Sequence, residues 1–158
     1  MEHETGARPV ICFNDRNTVV QFRTSWGSDN DLWYYVGTID KSGVITWEEA
    51  ERPDWYGRNC RVAINNEGTV VEMHQSLTQR RIYSRVGVVK EGKISWGECQ
   101  RVEDGMNPAV ALLDDGTVIC VYLTSSLGSY STYSRVGFVN VESKTIVEWE
   151  GSDLLWHR

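Results

Sequence analysis

The chain has 158 residues, 41% of them apolar and 24% charged, and carries a formal net charge of -6. That is the length of one domain, the apolar fraction is too high for a disordered chain, and no apolar run approaches the ~20 residues of a membrane span. The acidic balance argues against a nucleic-acid binder, since phosphates are held by clustered Lys and Arg. The opening Met1-Glu-His-Glu-Thr-Gly lacks the basic and apolar regions of a signal peptide, so the chain reads as cytoplasmic.

Taken in chain order, the short apolar segments come in fours. Pro9–Asn14 reads as a strand, followed by Thr18–Arg23, Leu32–Ile39 and Val44–Trp47. The next four are Arg61–Asn65, Thr69–His74, Ile82–Val89 and Lys93–Trp96, and the last four are Pro108–Leu113, Thr117–Tyr122, Thr132–Val139 and Thr145–Trp149. Tight turns such as Asn66-Glu67-Gly68 and Asp114-Asp115-Gly116 join the first two strands of a set as hairpins. No segment keeps a helical apolar period, so the class is all-β. The segments Trp26–Asp31 and Ser125–Tyr130 read as loops, and Glu48-Glu-Ala-Glu51 as a solvated strand exit.

The fours are copies of one unit. Gly6 to Val20 aligns without gaps with Gly57 to Val71 and with Gly105 to Ile119. Val-Gly pairs follow at Gly37, Gly87 and Gly137, fifty residues apart each time (87 − 37 and 137 − 87). Tryptophans close the copies at Trp47, Trp96 and Trp149, giving repeats 6–56, 57–104 and 105–158 within a single unit, 1–158. Four antiparallel strands in a repeat of about fifty residues make a β-propeller blade. The Gly-x-Asn-Pro-x-Val-Ala-Leu-x-x-x-Gly-Thr-Val-Val-Glu-x-His pattern, carried best by Gly57–His74 and Gly105–Val121, resembles a repeat of bacterial propellers of the sialidase/lectin-like kind. A sialidase-type Asp-box is approached only at Asp40-Lys-Ser-Gly43, with its spacing stretched; Val89 and Val139 stand near the Asp position in the other repeats.

Rings usually hold four to eight blades. A three-blade arc would expose an apolar patch at each end, and two copies would close it as a six-bladed homodimer. A nine-bladed trimer and a fragment of a longer chain are the alternatives.

Strand alternation places Trp33 and Tyr35, Tyr83 and Arg85, and Tyr133 and Arg135 on equivalent faces, with Glu72 and His74 on the neighbouring strand of the second repeat. Aromatic rings that stack on a pyranose and guanidinium groups that bind hydroxyl or carboxylate oxygens suit carbohydrate recognition. In lectin-like propellers such sets lie in crevices between blades. The expected function is non-enzymatic, lectin-like carbohydrate binding. The same arginines have a structural alternative, an ion pair with Glu72 or another carboxylate between blades. The recurring glycines and tryptophans serve blade packing.

Two other functions compete. A glycoside hydrolase needs a carboxylate pair, for which Asp15, Asp40, Glu72, Glu98 and Asp114 are candidates without a motif that selects two. A scaffold would bind another protein on the ring face. His74, with His3 and His157 near the termini, makes a poor metal set, and no cofactor motif is present. Cys12, Cys60, Cys99 and Cys120 form no C-x-x-C pair and read as reduced, small buried residues.

Overall fold

The computed structural model describes residues 6–25, 31–53, 55–126 and 129–157. Among them are strands and no helix. The first sheet is β1 (Gly6–Phe13), β2 (Thr18–Ser25), β3 (Leu32–Ile39) and β4 (Ile45–Trp47), antiparallel and in sequence order. The second is β5 (Arg58–Ile64), β6 (Thr69–Gln75), β7 (Arg81–Lys90) and β8 (Lys93–Trp96), with β9 (Gln100–Asp104) also pairing with β7. The third is β10 (Met106–Leu112), β11 (Thr117–Ser126), β12 (Ser129–Asn140) and β13 (Thr145–His157). The three repeats are thus three antiparallel meanders, each built from neighbours in sequence.

Local chemistry shapes the first hairpin of each sheet. Asn14 Oδ1 accepts from Arg16 N (3.1 Å) and Thr18 N (3.0 Å), and Asn65 Oδ1 accepts from Glu67 N (3.1 Å) and Thr69 N (2.9 Å). These side chains shape the turn through bonds to their own neighbours two and four residues on. The third copy has Leu113 at that place, and Asp115 Oδ1 takes over by accepting from Thr117 N (2.8 Å). The first strands start before the expected prolines and arginine because each carries a bulge, between Ala7 and Val10, Arg58 and Arg61, and Met106 and Ala109. The extra residue is left-handed each time: Arg8 (φ 53°), Asn59 (φ 54°) and Asn107 (φ 51°). Asparagine tolerates that conformation and arginine does not. Arg8→Asn should therefore stabilise the protein by about 0.5 kcal/mol, read as a higher urea midpoint at unchanged slope.

The outer strand does not end on its tryptophan. After Trp96 the chain bulges through Gly97, whose N–H donates to Val86 O (2.8 Å), and returns to β7 as β9. In the first sheet the same return is reduced to two bridges, Tyr34 with Glu51 and Asp31 with Tyr56. In the third it is one long strand, β13, with register shifts. Only Val102 of β9 is buried and apolar, so period-two alternation was too short to reveal it. The stretch ending at Glu51 is also less solvated than expected, since Glu51 accepts from Lys93 Nζ (2.5 Å) while Glu48 and Glu49 stay exposed. Ser125–Tyr130 is the end of a hairpin rather than a loop: β11 and β12 pair out to Ser126 and Ser129. Residues Trp26–Asn30, Leu127 and Gly128 lie outside the described residues.

The core lies between sheets. Val20, Phe22, Tyr34 and Val36 of the first sheet pack on Cys60, Ile64, Val70 and Ile94 of the second. Val71, Met73, Ile82 and Val86 pack on Val118, Cys120, Tyr122 and Ile146 of the third. Each middle-sheet strand thus sends alternate residues to opposite neighbours, as its period of two requires. At the turn end a hydrogen-bonded ladder joins the sheets. Asp15 N donates to Asn66 Oδ1 and Asn66 N to Asp114 Oδ1, both at 2.8 Å, while Asn66 Nδ2 donates to Asp15 Oδ2 (3.2 Å) and Asp114 Oδ2 (2.8 Å).

Candidate functional site

The side chains singled out from the sequence fall into three groups. Trp33 and Tyr35 lie on the outer face of the first sheet. Glu72, His74, Tyr83 and Arg85 lie on the face of the second sheet turned to the first, and Tyr133 and Arg135 on the face of the third turned to the second. Register enforces this, because Glu72 pairs with Arg85 and His74 with Tyr83 across β6 and β7, while Tyr122 pairs with Tyr133 across β11 and β12.

One register position carries a stacked pair in every sheet. Arg23 lies over the Trp33 ring (5.7 Å), His74 stacks on Tyr83 (5.8 Å, 16°) and Tyr122 on Tyr133 (6.0 Å, 21°). In the first sheet Arg23 also lies over Tyr35 (5.7 Å) and donates to its hydroxyl (3.2 Å), and Tyr35 meets Trp47 edge-on.

The two arginines differ in surroundings. Arg135 donates to Val102 O (2.9 Å) and to Glu103 Oε2 (3.1 Å), a partly buried ion pair between the second and third sheets. This is the structural alternative, with Glu103 as the carboxylate. Arg85 lies 4.0 Å from the centre of the Trp55 ring, and its Nη1 donates to Gly97 O (3.4 Å). Trp55 and Glu103 both stand two residues before a repeat-opening glycine, Gly57 and Gly105. The residue at that one place decides whether the repeated arginine meets a carboxylate or an indole there; Arg135 also lies over the Trp149 ring (5.8 Å).

Arg85 and Trp55 line two adjoining cavities. One, of about 290 Å³, also holds Tyr56, His74, Tyr83 and Cys99. The other, of about 550 Å³, holds Glu51, Arg52, Glu98 and Lys144 beside them. Beneath the smaller cavity sits a buried polar node. Glu72 is fully buried; its Oε1 accepts from Cys60 Sγ (3.1 Å), and His74 Nδ1–H donates to Oε1 (3.1 Å) and Oε2 (3.0 Å). Glu72 therefore faces His74 and Cys60 and holds the histidine ring against Tyr83, a positioning arrangement.

The remaining candidates are engaged elsewhere. Asp40 Oδ1 accepts from Ser42 Oγ (2.6 Å), Ser42 N (2.8 Å) and Val44 N (3.0 Å), and the serine hydroxyl first among these holds its carboxyl below the ordinary value. Asp15 and Asp114 belong to the turn ladder. Among the hydrolase candidates only Glu98 lines a cavity described above. His3 lies outside the described residues, as does the side chain of His157, and among the described residues no group of three or more His, Cys, Asp or Glu is placed to hold a metal. Burial pushes the thiols of Cys12 and Cys120 up to about 12 and that of Cys60 well above its usual value, which leaves them unreactive. Cys99 departs from the expectation of a buried cysteine: it is exposed at the crevice beside Arg85.

Sequence reading missed Trp55, Tyr56, Arg52 and Lys144. The first two had a signal, an adjacent aromatic pair just before Gly57, where Glu103-Asp104 stand before Gly105. The family models searched contain no match to the chain, and the curated proteins contain none either.

Proposed function

We propose that the chain is a non-enzymatic carbohydrate-binding β-propeller whose binding site is the crevice between the first and second sheets, and that two copies close a six-bladed ring. The observation that carries the reading is Arg85 lying on Trp55 at the join of two cavities, with Tyr83 and His74 stacked beside it. Aromatic faces provide an apolar platform for a pyranose, and a guanidinium provides planar donors for hydroxyl or carboxylate oxygens. Two crevices per ring would reinforce weak single-site affinity against a multivalent glycan.

The test is a glycan array with the purified chain, followed by titration of the best ligand. Arg85→Gln is expected to weaken binding at least about tenfold, the worth of hydrogen bonds to a charged donor. Arg135→Gln is expected to leave affinity nearly unchanged, since Glu103 holds that arginine. Silence across the array, or equal affinity of Arg85→Gln and wild type, overturns the reading. A hydrolytic reading draws on Glu98, which shares the larger cavity with Glu51 and Glu142. It predicts turnover of a fluorogenic glycoside that is lost in Glu98→Gln.

A further inference from the structure

The two outermost sheet faces carry the same repeat positions as the faces buried inside the molecule. Val20 and Val71 face the following sheet and are 0% exposed, whereas their counterpart Ile119 is 37% exposed. Val86 is 0% exposed and its counterpart Val136 is 37% exposed, with Phe138 and Val147 open beside it. At the other end, Ile64 faces the preceding sheet at 8% exposure, whereas its counterpart Phe13 is 70% exposed and Ile11 is open next to it. The third sheet therefore presents a surface of the kind that receives a following sheet. The first presents a surface of the kind that follows one only at Ile11 and Phe13, since Val19 and Tyr35 on the same face are already buried.

The turn ladder runs in one direction and stops at the same boundary. Its rungs, Asp15 N to Asn66 Oδ1 and Asn66 N to Asp114 Oδ1, repeat from sheet to sheet. The next rung in that series is Asp114 N to the Oδ1 of another Asp15. The adjacent turn residue is also complementary: Arg16 pairs with Glu67 (2.9 Å) within the chain, and the matching residue of the third sheet is the acid Asp115.

From this we infer that the occupant of the third sheet's outer face is the first sheet of a second copy of the chain. Phe138, Ile119 and Val136 meet Phe13 and Ile11, and Asp114 N donates to Asp15 of the second copy. The contact is face three on face one, and two such equivalent junctions close a two-fold ring. It rests on the two-copy ring proposed above and is independent of what the crevice binds. The junction is not a replica of the internal ones. Leu113 replaces the asparagine that donates across each internal junction, Asn14 Nδ2 to Asn65 O (2.9 Å) and Asn65 Nδ2 to Leu113 O (3.3 Å). Asp114 would also lie beside Asp15 without the bridging amide that Asn66 supplies inside the chain. Apolar contact drives this junction, and the paired acids weaken it.

The experiment is light scattering and sedimentation of the wild-type chain, of Phe13→Glu, of Phe138→Glu and of an equimolar mixture of the two variants, with circular dichroism confirming the sheet content. The expected results are a wild-type mass of two copies and each single variant monomeric. The mixture should recover partial association, because one junction then joins two unaltered faces. Asp15→Asn, which replaces one of the two paired acids by an amide that can donate to Asp114, is expected to tighten the dimer about fivefold. A wild-type monomer or trimer overturns both this junction and the two-copy ring. A wild-type dimer that survives Phe13→Glu overturns the junction and leaves the ring reading standing. Loss of association in Phe138→Glu that the mixture does not restore also overturns it.

Discussion

Glu72→Ala should destabilise the protein by about 3–5 kcal/mol, the usual cost of removing one partner from a buried polar pair. The carboxylate has no solvent exposure and accepts from both Cys60 Sγ and His74 Nδ1, so its removal leaves two buried donors unmade and a side-chain-sized void. For a chain of this size the melting midpoint should fall by roughly 6–20 °C at 2–4 °C per kcal/mol. Glu72→Gln keeps the shape and one acceptor oxygen and should lose clearly less. Urea unfolding of the three proteins makes the comparison, and an alanine variant within 1 kcal/mol of wild type would refute the node's structural role. Since the node holds His74 against Tyr83, the glutamine variant should also weaken any ligand of the crevice without acting on Arg85.

Gly87→Val is expected to cost about 3 kcal/mol or more through overpacking. A Cβ at that position would stand 2.4 Å from Ile94 Cγ2 and 2.7 Å from Trp96 Cε3, and both groups are held by the packing between the first and second sheets. The same crowding meets Gly37, from Trp47 and Ile45, and Gly137, from Trp149 and Ile146. Val-Gly thus recurs because the outer-strand tryptophan and isoleucine leave no room for a Cβ at the glycine. Ile94→Ala combined with Gly87→Ala should recover part of the loss of Gly87→Ala, a coupling that a double-mutant cycle measures. Gly43→Ala is the control: nothing lies within 4 Å of its Cβ, so the cost is the backbone strain of its φ of +84° alone, about 1 kcal/mol. Equal losses at Gly43 and Gly87 would contradict the packing account.

Strand pairing in this chain is local, so it was legible at the level of residues. Thr69-Val-Val-Glu-Met-His and Ile82-Tyr-Ser-Arg-Val-Gly alternate with period two, and an asparagine-shaped turn or a short loop fixes their register. That alternation put Tyr83 and Arg85 on one face of their strand, and the register of β6 on β7 brings Glu72 and His74 to the same face. It was silent about β9, whose single buried apolar residue leaves no pattern to read. It was also silent about Glu51, whose role depends on Lys93, forty-two residues away. Arg85 and Arg135 looked interchangeable because both sit in Tyr-Ser-Arg-Val-Gly. Their difference comes from the linkers before Gly57 and Gly105, where Trp55 stacks and Glu103 forms an ion pair.

What the amino-acid order determined by itself is therefore the unit: four antiparallel strands, their register, and which side chains share a face. Those properties rest on backbone hydrogen bonds and alternation between residues close in sequence. Only the stacking of one unit on the next decided which face became core, which arginine met a carboxylate, and which cysteine stayed exposed. Burial and partner choice are properties of surfaces that meet across some fifty residues of chain, and a single repeat carries no record of what its neighbour presents.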